Sequence, residues 1–159
     1  MNDTAARYDY SIREADLQDV PGISELLDIY SEVGILLPRS KTDIYHSLRD
    51  FRVIREESRV VACASLMIYN HELAEIRSLA VHPDCQSHGF GKRLVTQLER
   101  EAVELGLGRL MALTYVVGFF EDLEFKVVDM AELPEKVWNA CIHCRKFHDC
   151  DEIAMVKYL

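Results

Sequence analysis

The sequence predicts an α+β chain with a mixed, mostly antiparallel central sheet and helices flanking it. Three observations lead there. Candidate elements follow one another in the order β-α-α-β-β-β-α-β-α-β. Three consecutive strands are joined only by short turns. A strand–helix–strand unit comes after them. Hairpin-linked strands pair antiparallel and a strand–helix–strand unit contributes parallel ones, so the sheet is mixed and its helices lie on it.

Each element has its own signal. Residues 10–13 read as a short strand. Residues 16–33 carry Val20, Ile23, Leu26, Leu27 and Tyr30 at three- and four-residue steps, the stripe of an amphipathic helix. Asp16 is its expected N-cap, and Pro21 falls early in the segment. Gly34-Ile35-Leu36-Leu37-Pro38 breaks it, and residues 42–49 predict a second, short helix. Residues 51–55 alternate apolar and polar, 60–69 have the Val, Ala and Leu content of a buried strand, and 73–82 form a third strand stopped by Pro83. Residues 89–105 predict the clearest helix, with Leu94, Val95, Leu98, Ala102 and Leu105 on one face and Gly106 as its stop. A strand at 109–114, one or two helical turns at 117–123, a strand at 125–128, a helix at 134–144 and a strand at 153–158 complete the order.

Composition excludes several classes. The 159 residues suit one domain, and 49% are hydrophobic, enough to bury a core. Seven Gly and four Pro exclude a collagen-like or disordered chain. A net charge of −9 argues against nucleic acid as a partner, because phosphate backbones need a basic footprint. No apolar run approaches the roughly 18 residues of a membrane span, so no membrane partner is expected. The first ten residues have no signal-peptide core, and the expected location is cytoplasmic. Five cysteines, an odd number, argue against a disulfide framework. A homodimer is left open.

The informative segment runs from Glu75 to Leu94: a strand, a loop, and the opening of the long helix. Gly89 and Gly91 stand at the helix mouth, where a missing Cβ lets a ligand approach the backbone. The first amides of a helix lack intrahelical partners and carry partial positive charge, which suits a pyrophosphate. Lys92 adds charge. The segment is neither a P-loop nor a dinucleotide fingerprint, since both motifs need other residues after the glycines.

Gln86-Ser87-His88-Gly89-Phe90-Gly91 resembles the Q/R-x-x-G-x-G/A signature of the GNAT acyl-CoA N-acetyltransferases. The resemblance spans residues 8–159 and implies a GNAT fold in one domain, with 1–7 as a short N-terminal extension. It implies acetyl-CoA as co-substrate. Gln86, Ser87, His88, Gly89, Phe90, Gly91 and Lys92 would cradle its pyrophosphate, and Leu79, Ala80 and Val81 would contact the pantetheine and acetyl carbonyl. Three further stretches, Gly34 to Ser40, Leu113 to Phe120 and Glu132 to Trp138, resemble the short bacterial N-acetylglutamate synthases. These acetylate the α-amine of L-glutamate at the start of arginine biosynthesis.

Acetyl transfer to an amine requires deprotonation of the ammonium, donors for the oxyanion and departure of the thiolate. Glu75 is the expected general base; the competing reading is an ion pair with Arg77, two residues along the same strand. The residue at the family's usual acid position is Phe120, which has no proton to give, so Tyr115 is the substitute candidate. A glutamate site needs guanidinium or ammonium groups for carboxylates. The resemblance places Arg39 there, with Lys41, Arg77 and Lys157 as weaker candidates for the second carboxylate. Glu124 and Val117 depart from the family's pattern, which often has Gly and Pro there.

Cys141, Cys144 and Cys150, with His143 and His148, could hold zinc or form a redox pair, or remain reduced structural thiols. The second ligand pair of a strong zinc motif is missing, and the expected chemistry requires no metal. Two other functions stay open at this point: a GNAT enzyme for another amino acid, small amine or protein N-terminus, and a non-catalytic acyl-CoA-binding regulatory module.

Overall fold

The computed structural model describes residues 8–133 and 151–159. The helix expected at 134–144 and the cysteines Cys141, Cys144 and Cys150 lie outside them. The described elements are β1 (Ile12–Glu14), α1 (Val20–Ser31), α2 (Lys41–His46), β2 (Phe51–Glu56), β3 (Arg59–Ile68), β4 (Leu73–Val81), α3 (Phe90–Glu104), β5 (Arg109–Thr114), α4 (Val117–Glu121), β6 (Lys126–Val127) and β7 (Ile153–Tyr158). They follow the expected order. The sheet has seven strands in the order β1-β2-β3-β4-β5-β7-β6. It is mixed: β4 and β5 are parallel, in register from Leu73↔Arg109 to Ile76↔Ala112. The pairs β1–β2, β5–β7 and β6–β7 are antiparallel. Among the described residues, no helix is long and apolar enough to cross a membrane.

The chain forms two compact units. One comprises the chain to Ala64 together with Ser78–Leu94; the other comprises Ser65–Arg77 and the chain from Val95. In the first, the stripe read from sequence packs as expected: Val20, Ile23, Leu26 and Leu27 of α1 meet Ile44 of α2, Phe51 of β2 and Cys63 of β3. In the second, Leu73, Met111, Leu133, Ala154 and Val156 form the core.

Helix ends differ from the sequence reading for local reasons. Asp16 caps a 3₁₀ turn, Leu17–Asp19, instead of α1 itself. Its side chain accepts from the Gln18 amide at 2.9 Å, while the Asp19 carboxylate accepts from the Asp16 amide at 2.8 Å. Arg55 then grips the buried Asp19 carboxylate with Nε at 2.7 Å and Nη2 at 2.5 Å. Helix α1 therefore starts at Val20. Likewise α2 is capped by Ser40, whose hydroxyl accepts from the Asp43 amide, and it closes at His46 before a second 3₁₀ turn, Leu48–Asp50.

On α3, Leu94, Val95, Leu98 and Ala102 are buried as expected, but Leu105 is 62% exposed. The helix ends one residue earlier. Gly106 adopts φ +86°, its amide donates to the Val103 carbonyl, and the Leu107 amide donates back to Ala102. This left-handed cap reverses the chain, so Leu107, not Leu105, enters the core. The end of α4 repeats the geometry: the Phe125 amide donates to Phe120, the Glu124 amide to Glu121, and Glu124 sits at φ 69°. Position 124, where the family resemblance implied Gly, is thus a left-handed cap occupied by a residue with a Cβ.

Glu124→Gly should therefore stabilise the protein by about 1 kcal/mol, because it removes the Cβ clash of the left-handed conformation. The change gives up only a 3.6 Å contact between Lys157 and an 85% exposed carboxylate, which solvent screens. Calorimetry should show Tm rising by roughly 2–4 °C; an unchanged or lower Tm would contradict strain at this cap.

Candidate functional site

In the first unit, the last residues of β4 lead into a loop and then into α3. The loop, Pro83–His88, is a 3₁₀ helix capped by His82, whose Nδ1 accepts from the Asp84 amide at 3.2 Å. Gly89 ends it at φ +71°. A Cβ built at Gly89 would meet nothing within 4 Å, so the backbone conformation, not crowding, calls for glycine. That open space leaves the Gly89 backbone accessible to a ligand. The first bond of α3 runs from the Arg93 amide to the Gly89 carbonyl, 3.1 Å. The amides of Phe90, Gly91 and Lys92 precede it and open a 15-residue helix, the arrangement that favours an anion.

Side chains of the loop divide by exposure. Gln86, Ser87, His88 and Lys92 are exposed, whereas Cys85 and Phe90 are buried. Phe90 lies among rings, its centroid 5.0 Å from Tyr10 and 5.2 Å from His88, with the Arg93 guanidinium 5.9 Å from its ring centre. Upstream, Ala80 is buried, and Leu79 and Val81 are half-buried.

Arg39 is brought to β4 from the segment between α1 and α2. Its Nη1 donates to Ser78 Oγ at 2.9 Å and its Nη2 to Ser47 Oγ at 2.7 Å. The guanidinium carbon stands 5.2 Å from the Phe51 ring centre, a cation–π contact. Ser47 passes its own proton to the Asp43 carbonyl at 2.8 Å. The two hydroxyls orient the guanidinium. Ser78 itself has φ 51° in mid-strand, and its carbonyl accepts from the Cys63 thiol at 3.4 Å.

The other candidate cations have different settings. Lys41 is exposed at the first position of α2. Arg77 is half-buried, and its Nη1 points at the Met67 sulfur, 2.7 Å away. Lys157 is held by both Glu99 oxygens, at 2.8 and 3.0 Å, which gives it a structural use.

In the second unit, Glu75 is 3% exposed, and its carboxylate accepts from the Tyr69 hydroxyl. Tyr115, 38% exposed, donates its hydroxyl to Asp151 at 2.6 Å. Phe120 is buried edge-on against Phe119 and Phe125. Among the described residues, no group of three or more His, Cys, Asp or Glu is arranged to hold a metal.

Two residues were not legible as parts of a site. Tyr69 looked like the end of a strand, and Tyr30 like one more apolar position on α1. The Tyr30 hydroxyl donates to the Val81 carbonyl and accepts from Gln86 Nε2 at 2.7 Å. A tyrosine where a helical stripe needs only an apolar side chain was the available signal.

The profile of the acetyltransferase (GNAT) family matches residues 23–125. An uncharacterized N-acetyltransferase of Chlorobaculum tepidum is 38% identical, over 95% of this chain and 97% of that protein. An amino-acid acetyltransferase of Mannheimia succiniciproducens is 33% identical over 79% of this chain, but the match spans only 29% of that longer protein. The N-acetylglutamate synthase of Neisseria gonorrhoeae, solved with coenzyme A and N-acetyl-glutamate, superposes with a TM-score of 0.82. It is 27% identical, over 95% of this chain and 35% of that one.

The thiols near β4 are chemically quiet. Burial pushes the Cys63 thiol up to about 12 from an ordinary 9.0, and burial, followed by the Glu56 charge, also raises Cys85. The upward shifts favour the thiol form of both, and only the thiolate is nucleophilic. Iodoacetamide at pH 8 should therefore leave Cys63 and Cys85 unmodified in the folded protein and label both after denaturation. Peptide mass spectrometry checks this, and labelling of either at the rate of an unstructured peptide would contradict it.

Proposed function

The chain belongs to the acetyltransferase (GNAT) family, and from that membership we propose that it moves the acetyl group of acetyl-CoA to the α-amine of L-glutamate. The acetyl-CoA-dependent N-acetyltransferase activity is that of the family; the acceptor is our own reading. The observation that carries it is Arg39, whose guanidinium is oriented beside β4 by the hydroxyls of Ser78 and Ser47. Such a rigid fork matches a carboxylate. Its similarity to an N-acetylglutamate synthase and to amino-acid acetyltransferases supports the same acceptor class, and with it a place at the start of arginine biosynthesis.

The reaction would run as a direct transfer. The amides from Gln86 to Lys92 hold the diphosphate of the coenzyme. The β4 backbone past Ile76, beyond the register with β5, receives the pantetheine arm along Leu79, Ala80 and Val81. Glu75 accepts a proton from the glutamate ammonium, directly or through one water. The freed nitrogen attacks the thioester carbon and a C–N bond forms. Backbone N–H groups near Leu79 to Val81 receive the developing oxyanion. The nitrogen then sheds its second proton to water and the C–S bond breaks. The coenzyme leaves as a thiolate that takes a proton from Tyr115, itself reprotonated by water, or directly from water. A direct route is supported by the two described cysteines, whose neutral, buried thiols make poor acyl acceptors.

An acetyl-acceptor screen of the purified protein, with products read by mass spectrometry, should give N-acetylglutamate in preference to other products. Preference for an amine without an acidic side chain would refute the acceptor. Glu75→Gln should lower kcat by about 10²- to 10⁴-fold with unchanged affinity for coenzyme A. Arg39→Ala should raise KM for glutamate by about 10- to 100-fold, the loss of one charge-assisted contact. A KM that does not move would remove Arg39 from the acceptor site.

A further inference from the structure

The peptide linking Val81 to His82, where β4 gives way to the phosphate loop, is held at both of its polar ends. Its N–H, on His82, donates to the Val61 carbonyl at 2.7 Å. Its carbonyl, on Val81, accepts from the Tyr30 hydroxyl, and the side-chain Nε2 of Gln86 donates to that hydroxyl at 2.7 Å. A trans peptide points these two groups in opposite directions, so two anchors fix the plane. Tyr30 is half-buried and packs against the core formed by α1, α2 and the strands beside them. Its hydroxyl is saturated in a particular sense: its one proton goes to β4, and it takes one from the loop.

The backbone of Tyr30 does separate work. Its carbonyl accepts from the amides of Ile35, 2.9 Å, and Leu36, 3.3 Å, which turns the chain out of α1 towards Arg39. Replacing the hydroxyl alone would leave that turn in place.

We propose that Tyr30 is a positioning residue for coenzyme binding: its hydroxyl sets the plane of the Val81–His82 peptide and, through Gln86, the angle at which the phosphate loop leaves β4. This rests on the coenzyme part of the function above and is independent of the acceptor. Without the hydroxyl, the peptide keeps only its Val61 anchor and Gln86 loses its partner. The loop must then be ordered by the coenzyme itself, and that cost appears as lost affinity. A loop anchored at one end still reaches the same bound geometry, so the chemical step is spared.

The test measures coenzyme A binding by calorimetry, with no acceptor present, for the unmodified protein, Tyr30→Phe and Gln86→Leu, each with its Tm. Tyr30→Phe should raise Kd by about 3- to 10-fold, the equivalent of one hydrogen bond. In turnover, KM for acetyl-CoA should rise by the same factor, while KM for the amino acid and kcat stay within twofold. Gln86→Leu, at an exposed position, should weaken binding by about 2- to 3-fold alone and add nothing once the hydroxyl is gone. A coenzyme Kd unchanged in Tyr30→Phe overturns the proposal, as does a rise in both KM values together, which is what a general loosening of the fold would give. If Tyr30→Phe does not fold, Gln86→Leu decides: unchanged binding overturns the role of the bridge. Failure of the unmodified protein to bind coenzyme A is a different result, and it overturns the coenzyme reading itself.

Discussion

Ser78 is a non-glycine residue in a left-handed conformation in the middle of β4. An L-residue there costs on the order of 1 kcal/mol or more, so the surroundings must hold it. They do so from two sides. The Arg39 guanidinium donates to its hydroxyl and the Cys63 thiol donates to its carbonyl. The boundary between the two compact units falls at the same place, between Arg77 and Ser78. Residues before it belong with Glu75 and Tyr69, and residues after it belong with Arg39, Tyr30 and the Pro83–His88 loop.

The same contacts tie substrate chemistry to backbone geometry. Arg39 is both the group proposed for a substrate carboxylate and a support for Ser78. Its second serine, Ser47, hands its proton to the Asp43 carbonyl of α2, so the guanidinium is built into a packed element. A side chain held in this way loses little freedom when it binds a ligand. Glu75 follows the same logic in the other unit, buried with a Tyr69 hydroxyl on its oxygen. By contrast, Tyr115 gives its proton to an exposed aspartate, and Phe120 has none. If Glu75 is the base and Tyr115 the acid, as proposed, more of the structure supports removing a proton from the amine than supplying one to the thiolate. That ordering suits a leaving group that is stable as an anion.

The local code of the chain was read well wherever the deciding forces act over a few residues. The apolar stripes of α1 and α3, the alternation in the strands and the glycine at the mouth of α3 all depend on neighbours within one or two turns. Helix ends were read less well. Asp16 capped a 3₁₀ turn because the Asp19 carboxylate was already engaged by Arg55, 36 residues away. Leu105 lost its place in the core to Leu107 because the left-handed cap at Gly106 turned the chain one residue sooner than the stripe required.

By itself, the sequence determined the order of the described elements, the mixed sheet and the family, and it pointed to the segment proposed to offer its amides to an anion. Each of these is a property of short-range periodicity, turn chemistry or contiguous motif. Only the tertiary structure decided which side chains support that segment. The Tyr30 hydroxyl and the Val81 carbonyl are 51 residues apart, Tyr30 and Gln86 are 56 apart, and Arg39 and Ser78 are 39 apart. No spacing rule links such positions. Their partnership exists because packing α1 and the segment behind it onto the sheet removes polar groups from water, and each must then find a partner among whatever the fold has brought near.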